Sequence, residues 1–190
     1  MNEVITSQAH ASAGLVGVSS TTESMTAPRA CFTVECLDST GKQLWTDVSY
    51  NLVTTGGKND LLDKYLAGSA YTAAWFCGLV SSVTYTAIAA ADTMASHTGW
   101  TEAGATNAPT YSAGTRVALT FAAAAGASKA TSAASSFTFN GAGTIKGMFA
   151  SSVSTKDGTT GILYNAVLFS GGDRIVASGD VVNVSVTYSA

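Results

Sequence analysis

At 190 residues with a formal net charge of −3, the chain has room for one domain, with or without an arm, and a core of that size stands without disulfide or metal support. Charged residues make up only 11% of it, against about a quarter in ordinary proteins, and the nine Lys and Arg are scattered singly. That excludes the clustered basic face that nucleic-acid binding needs, and a surface built largely of Ala, Ser, Thr and Gly suits a subunit of a large assembly better than a freely diffusing enzyme.

Residues 1–28 carry many Ser, Thr and Ala, two Glu and little periodicity, and read as a flexible arm that orders only against a partner. MNEVITSQAH lacks a basic leader and a long apolar run, so it does not read as a secretory signal. The domain proper is expected over 29–190. In RACFTVECL (29–37), Phe32, Val34 and Cys36 alternate with Thr33, Glu35 and Leu37. After the turn DSTG, KQLWTDVSY alternates again, with Leu44, Val48 and Tyr50 on one side and Gln43, Asp47 and Ser49 on the other. Together these predict a hairpin with one buried face. Cys31 and Cys36 would point to opposite faces of the first strand and could not bridge locally; with Cys77 they read as small apolar side chains in a reducing, cytoplasm-like compartment.

TTGGKNDLLDKYLAGS (54–69) predicts one short helix near 57–67, with Leu61, Leu62, Tyr65 and Leu66 as its apolar stripe and Gly68 placed to cap its end. Its GGK is no phosphate loop, because Leu52 and Asn59 stand where a glycine and a Ser or Thr are required. The most apolar stretch, YTAAWFCGLVSSVTYTAIAAA, is broken by Thr, Ser and Gly and falls short of a membrane-spanning segment. Seven later segments read as strands: AAWFCGLVS, TRVALTF, SSFTF, GTIKGMFAS, GILYNAVLFS, DRIVA and DVVNVSVTYS. GAGTIKG runs into one of these strands, so it is no dinucleotide fingerprint. The pattern predicts a mainly β fold, an antiparallel β-sandwich or jelly-roll-like arrangement with a single helix.

DTMASHTGWTE (92–102) gathers Asp92, Ser96, His97, Trp100 and Glu102 in a chain with two histidines. Adjacent Ser96 and His97 point apart in an extended segment, which does not suit nucleophilic catalysis. His97 and Glu102 are one ligand short of a catalytic zinc site, and nothing builds a cleft around Asp92 and Glu102 for glycoside hydrolysis. The segment reads as a shaped loop in which Asp92 accepts backbone N–H groups, His97 bonds locally and Gly99 lets Trp100 return to the core. Trp45, Trp75 and Trp100, with Tyr71, Tyr85 and Tyr111, read first as core or interface residues and second as a sugar-stacking platform. The glycosylation-like NVS at Asn183 sits inside a predicted strand. No catalytic, cofactor-binding or metal residue is assigned, and no cofactor is expected.

Several blocks occurring in order over about residues 45–190, namely NLVTTGGKNDLLDKYLAGSAYTAAWFCGLVSS, AADTMASHTGWTE, GTIKGMFASS and LYNAVLFSGGDRIVASGDVVNVSVTYS, resemble small virion structural proteins of tailed bacteriophages. The resemblance implies a non-enzymatic, β-rich subunit located in the virion and assembled in the host bacterial cytoplasm. Its implied role is head decoration (cement), with the major capsid protein and other copies of itself as partners, and neither nucleic acid nor membrane among them. The alternative is a tail or head fibre-type host-recognition module that binds surface glycan.

Overall fold

The computed structural model describes residues 28–66, 68, 70 and 74–189; the arm expected over 1–28 lies outside the described residues except for Pro28, and so does Tyr71. The strands are β1 (Arg29–Leu37), β2 (Gln43–Tyr50), β3 (Leu52–Val53), β4 (Trp75–Ser81), β5 (Glu102–Gly104), β6 (Asn107–Thr110) and β7 (Val117–Leu119). They continue as β8 (Ser128–Ala130), β9 (Ser135–Thr138), β10 (Gly143–Ser151), β11 (Leu163–Leu168), β12 (Arg174–Val176) and β13 (Val181–Ser189), and the helix α1 (Thr55–Leu66) falls between β3 and β4. The fold is mainly β, and its two sheets form a nearly closed sandwich.

The first sheet runs β2-β1-β13, with β8 and β9 in tandem along the far edge of β13. The second runs β3-β11-β10-β4-β5-β6, with β12 extending the pairing on β10 and β7 that on β4. Almost every pairing is antiparallel; β5 and β6 pair in parallel. Phe32, Val34, Cys36, Val182, Val184 and Val186 face inward from the first sheet onto Cys77, Leu79, Met148, Ala150 and Val167 of the second. A smaller cluster of Val80, Met94, Trp100, Phe149, Leu163 and Ala166 covers the other face of the second sheet. Its central strands are therefore buried on both faces, and β4 and β10 read as nearly unbroken apolar runs rather than alternations. At Gly78 an added Cβ would lie 2.3 Å from the Phe149 ring, so the glycine is what lets that ring lie flat on the sheet.

All seven strands expected after the helix are present. β3, β5, β6 and β8, of two to four residues each, have no counterpart in the sequence reading, because runs that short carry no period.

Two expected faces are reversed. On β2 the buried side is Trp45, Asp47 and Ser49, while Leu44, Val48 and Tyr50 are 48%, 46% and 70% exposed. The polar side goes inward because a charge partner waits there. Arg174 donates to Asp47 at 2.8 Å, the Ser170 and Gly171 amides donate at 3.0 and 2.9 Å, and the Ser49 hydroxyl completes the set. A buried carboxylate met by this many donors is tolerated where an unpaired one is not.

α1 is reversed as well. Thr54 caps its start by accepting from the Gly57 amide at 3.0 Å. The helix then lies against β11 through its glycines, where a Cβ on Gly57 would stand 2.3 Å from the Tyr164 carbonyl oxygen. That approach turns Asp60 and Lys64 inward, paired at 3.3 Å, and leaves Leu61, Leu62, Tyr65 and Leu66 outward at 42%, 52%, 86% and 74% exposure. Gly68, just past the end, adopts φ +65°, the left-handed conformation suited to a helix stop.

Asp47 gives the fold an acid-sensitive contact. Burial pushes its carboxyl upward, but the hydrogen bonds from Ser49, Arg174, Gly171 and Ser170 outweigh this and hold it at about 2, below its ordinary value of 3.8. A carboxyl lowered by folding stabilises the native state above its unfolded value and loses that contribution as pH falls toward the folded one. Between about pH 4 and pH 2 the chain is expected to lose on the order of 2 kcal/mol through this group. Urea midpoints measured from pH 5 to pH 2 check this: the acid-side decline should be shallower in Asp47→Asn, whose stability at pH 7 is already lower.

Candidate functional site

The segment 92–102 works as a lid over the second apolar cluster. Thr93 and Ser96 close a tight turn through reciprocal backbone bonds at 3.0 and 3.2 Å, with the Thr93 hydroxyl accepting a further bond from the Ser96 amide. Asp92 accepts from the Ala89 amide and from the Trp100 indole, both at 2.9 Å. His97 Nδ1 lies 3.0 Å from the Trp100 carbonyl, which can only accept, so that nitrogen carries the proton. The imidazole stacks on the Trp100 ring at 4.0 Å, and Trp100, 1% exposed, packs on Phe149 at 5.0 Å. Asp92, His97 and Trp100 are thus brought together. Ser96 is exposed, and no hydrogen bond joins it or Glu102 to His97 among the described residues.

Glu102 belongs to a different assembly on β5. Its carboxylate takes a two-pronged bond from Arg116, Nε to Oε1 at 2.9 Å and Nη2 to Oε2 at 2.7 Å, with both side chains almost wholly buried. Arg116 also donates to Ser151 Oγ and to the Val153 and Gly158 carbonyls, while the Asp157 amide donates to Glu102 at 2.8 Å. Lys156 closes the set by donating to the Gly104 and Tyr111 carbonyls with its ammonium 3.6 Å over the Tyr111 ring. Burial, partly opposed by Glu102 and Asp157, lowers the pKa of Lys156. The charged donors of Arg116 and Lys156 are all engaged, so the cluster fixes the loop between β10 and β11 to β5.

The third candidate is an apolar groove between α1 and the end of the first sheet. Trp75, Phe121, Tyr164 and Tyr188 line it: Trp75 meets Tyr164 edge to face at 5.2 Å and 63°, Tyr164 meets Tyr188 edge to face at 5.4 Å and 86°, and Phe121 lies tilted at 5.7 Å from Tyr188. Leu61 forms one wall, Asp60, Lys64 and Lys129 the rim, and the open groove holds about 230 Å³. A second, shallower groove shares Leu61, Lys129, Tyr164 and Tyr188 with it and is lined further by Pro28 and Ser189. Inside, Asn165 donates to the Tyr188 hydroxyl at 3.0 Å, and burial raises the Tyr188 phenol, with the Asn165 bond opposing. This groove and the outward stripe of α1 beside it form the surface best suited to binding.

Among the described residues, Trp75 is the one aromatic singled out in the sequence that lies in the groove. Trp100 and Tyr111 are buried, Trp45 packs on Phe169 at 5.5 Å under Arg174, and Tyr85 receives Lys146 at 4.7 Å. They form no shared platform. Asn183 sits in β13 and accepts from the Ser136 hydroxyl. The three cysteines are free thiols; Cys36 and Cys77 are buried and Cys31 is half-buried on the opposite face of β1. Burial, with the Asp180 and Asp38 carboxylates adding to it, pushes the Cys36 thiol up to about 12, so it stays protonated.

Sequence reasoning missed Arg116 as the partner of Glu102 and missed Phe121, Tyr164 and Tyr188 as groove residues. The one available signal was scarcity: an arginine inside a strand-like segment of a weakly charged chain needs a buried partner.

No protein-family model matches the chain, and no curated protein matches it significantly.

Proposed function

We propose that the chain is a structural subunit of a tailed-bacteriophage virion, one that binds and stabilises the capsid shell as a decoration (cement) protein. One observation carries the contact-forming part of this reading: α1 packs through glycine and turns Leu61, Leu62, Tyr65 and Leu66 away from its own body. Exposed apolar patches of this kind mark surfaces made for contact with another molecule. Leu44, Val48 and Tyr50 add a second apolar strip on β2. The virion and the capsid enter through the resemblance of the sequence blocks to phage structural proteins.

The physics of a cement subunit fits such a surface. A specific contact buries ~1,600 Å² in all, and copies held at fixed spacing on a shell gain avidity from one another. A weakly charged, hydroxylated exterior keeps long-range repulsion between neighbouring copies small. The partners are then the major capsid protein and sister copies.

Cosedimentation with empty capsid shells tests the reading. Leu62→Glu combined with Leu66→Glu is expected to leave the urea midpoint within about 0.5 kcal/mol of the parent, because both side chains already face water. Shell binding should fall at least about tenfold, the loss expected when a buried leucine contact is replaced by a charge. Undiminished binding by the double variant would remove α1 as the contact. Absence of binding by the parent protein would remove the capsid role altogether.

A further inference from the structure

We propose that the outer face of the first sheet is the seat of a second copy of this chain, packed face to face about a two-fold axis so that β1 of one copy runs antiparallel to β1 of the other. The inference goes beyond the capsid reading and does not depend on it, because such a dimer forms in solution without a shell.

The face follows from register. Alternate residues of β1 and β13 fill the core, so the residues between them look outward. Tyr50, Cys31 and Thr187 form one row across β2, β1 and β13, and Val48, Thr33 and Ser185 form the next. Thr33, Val48, Tyr50 and Thr187 are exposed.

Area is the first argument. β1 and β13 have nine residues each and β2 has eight, with β8 and β9 adding a fourth lane beside β13. At ~3.3 Å per residue and ~4.8 Å between strands, the face is roughly 30 Å long and 15–20 Å wide. Two such faces bury on the order of 1,000 Å², where specific contacts of modest strength begin. Composition agrees, since interface cores lose charge and gain tyrosine. The outward positions of β1, β2 and β13 carry Val48 and Tyr50, several hydroxyls and two charges, Arg29 and Glu35.

Those two charges select the arrangement. Neither has an ionic partner among the described residues, and they stand six positions apart on one side of β1. A two-fold axis crossing the strands at Phe32 reverses β1 and sets Arg29 of each copy opposite Glu35 of the other, so the pair occurs twice. An axis along the strands sets Glu35 against Glu35 and Arg29 against Arg29, which like charges disfavour. The operation that pairs the charges also lays Tyr50 on Val48 and Thr187 on Ser185, because it exchanges the two central rows. Apolar side chains meet apolar ones, and hydroxyls meet hydroxyls. The helix α1 lies against β11 of the second sheet, so Leu62 and Leu66 stay outside this interface.

Sedimentation equilibrium of the purified full-length chain, from micromolar to near-millimolar concentration, tests this. A monomer–dimer equilibrium with a micromolar Kd is expected. Glu35→Arg and Arg29→Glu should each weaken the dimer at least about fivefold, since each turns two exposed attractions into repulsions. The two together should return Kd to within about twofold of the parent, because they restore both pairs with the signs exchanged. Val48→Lys should weaken the dimer at least about tenfold by placing a charge against Tyr50. Urea midpoints of all four variants should stay near the parent's, because these side chains face water in the single chain. A chain that stays monomeric throughout would overturn the proposal. So would a charge-exchanged double variant as weak as the single ones, or a dimer that ignores Val48→Lys and is lost in Leu62→Glu with Leu66→Glu, which gives the interface to α1. No shell enters this measurement, so its failure is distinct from failure of the capsid reading.

Discussion

Replacing Glu102 with alanine is expected to destabilise the fold by about 3–5 kcal/mol, a large share of the stability of a domain this size. The magnitude follows from what is left behind. Arg116 is 1% exposed and cannot deprotonate, so the substitution strands a full positive charge with two of its donors pointing at nothing. The Asp157 amide loses its acceptor as well, and with it one tie between β5 and the loop that follows β10. Arg116→Ala should fall in the same range, because it abandons Glu102 and the Val153 and Gly158 carbonyls together. Urea unfolding followed by circular dichroism gives both values. A discriminating comparison is the joint replacement Glu102→Leu with Arg116→Met, which removes both charges and keeps apolar volume beside Phe149. It should recover much of the loss, since a buried ion pair is costly to break singly and far less costly to exchange for packed hydrocarbon. A single-variant loss below about 1 kcal/mol would show that solvent reaches the pair and that the loop is held by other contacts.

A second ion pair, Arg174 with the buried Asp47, shows why some of the molecule was legible in the sequence and some was not. Strands with a regular period, such as β1 with Phe32, Val34 and Cys36 inward and β13 with Val182, Val184 and Val186 inward, announce their buried face because nothing competes with hydrophobic burial there. On β2 the same rule points to Leu44, Val48 and Tyr50 and fails, because Arg174 lies more than a hundred residues away and gives Asp47 a reason to be inside. The helix fails for a local reason. Its stripe was visible, but the glycine pair preceding it permits a closer approach to β11 than any leucine face, and the backbone took that route. In both places the period correctly sorts residues onto two faces; a charge remote in sequence decides which face is inward on β2, and the glycine pair decides it on α1. The groove was illegible on the same account: Trp75, Phe121, Tyr164 and Tyr188 come from four separate segments, and only the pairing of β13 with β8 and of β4 with β7 brings them to one end of the sandwich.

Trp100→Ala carries the second large effect and bears directly on the reading of residues 92–102. Trp100 is the largest fully buried side chain among the described residues, and its removal should destabilise by about 3–5 kcal/mol through lost burial and the cavity left against Phe149. The polar contacts of the lid depend on the same indole. Asp92 loses the 2.9 Å bond from Nε1 and His97 loses the ring it stacks on, so the turn from Thr93 to Ser96 keeps only its internal bonds, the two between backbones and the one to the Thr93 hydroxyl. His97→Ala separates the lid from its anchor. It deletes one hydrogen bond to the Trp100 carbonyl and one stacking contact at a half-buried position, a loss of about 1–2 kcal/mol. Urea midpoints for the two variants should therefore differ by roughly twofold or more in their displacement from the parent. Hydrogen exchange locates the effect: amides of β10 around Phe149 should lose protection in Trp100→Ala and keep most of it in His97→Ala. If instead the two variants were equally mild, Trp100 would not be what seals the second apolar cluster, and the histidine and the carboxylate beside it would need another reason for being held in register.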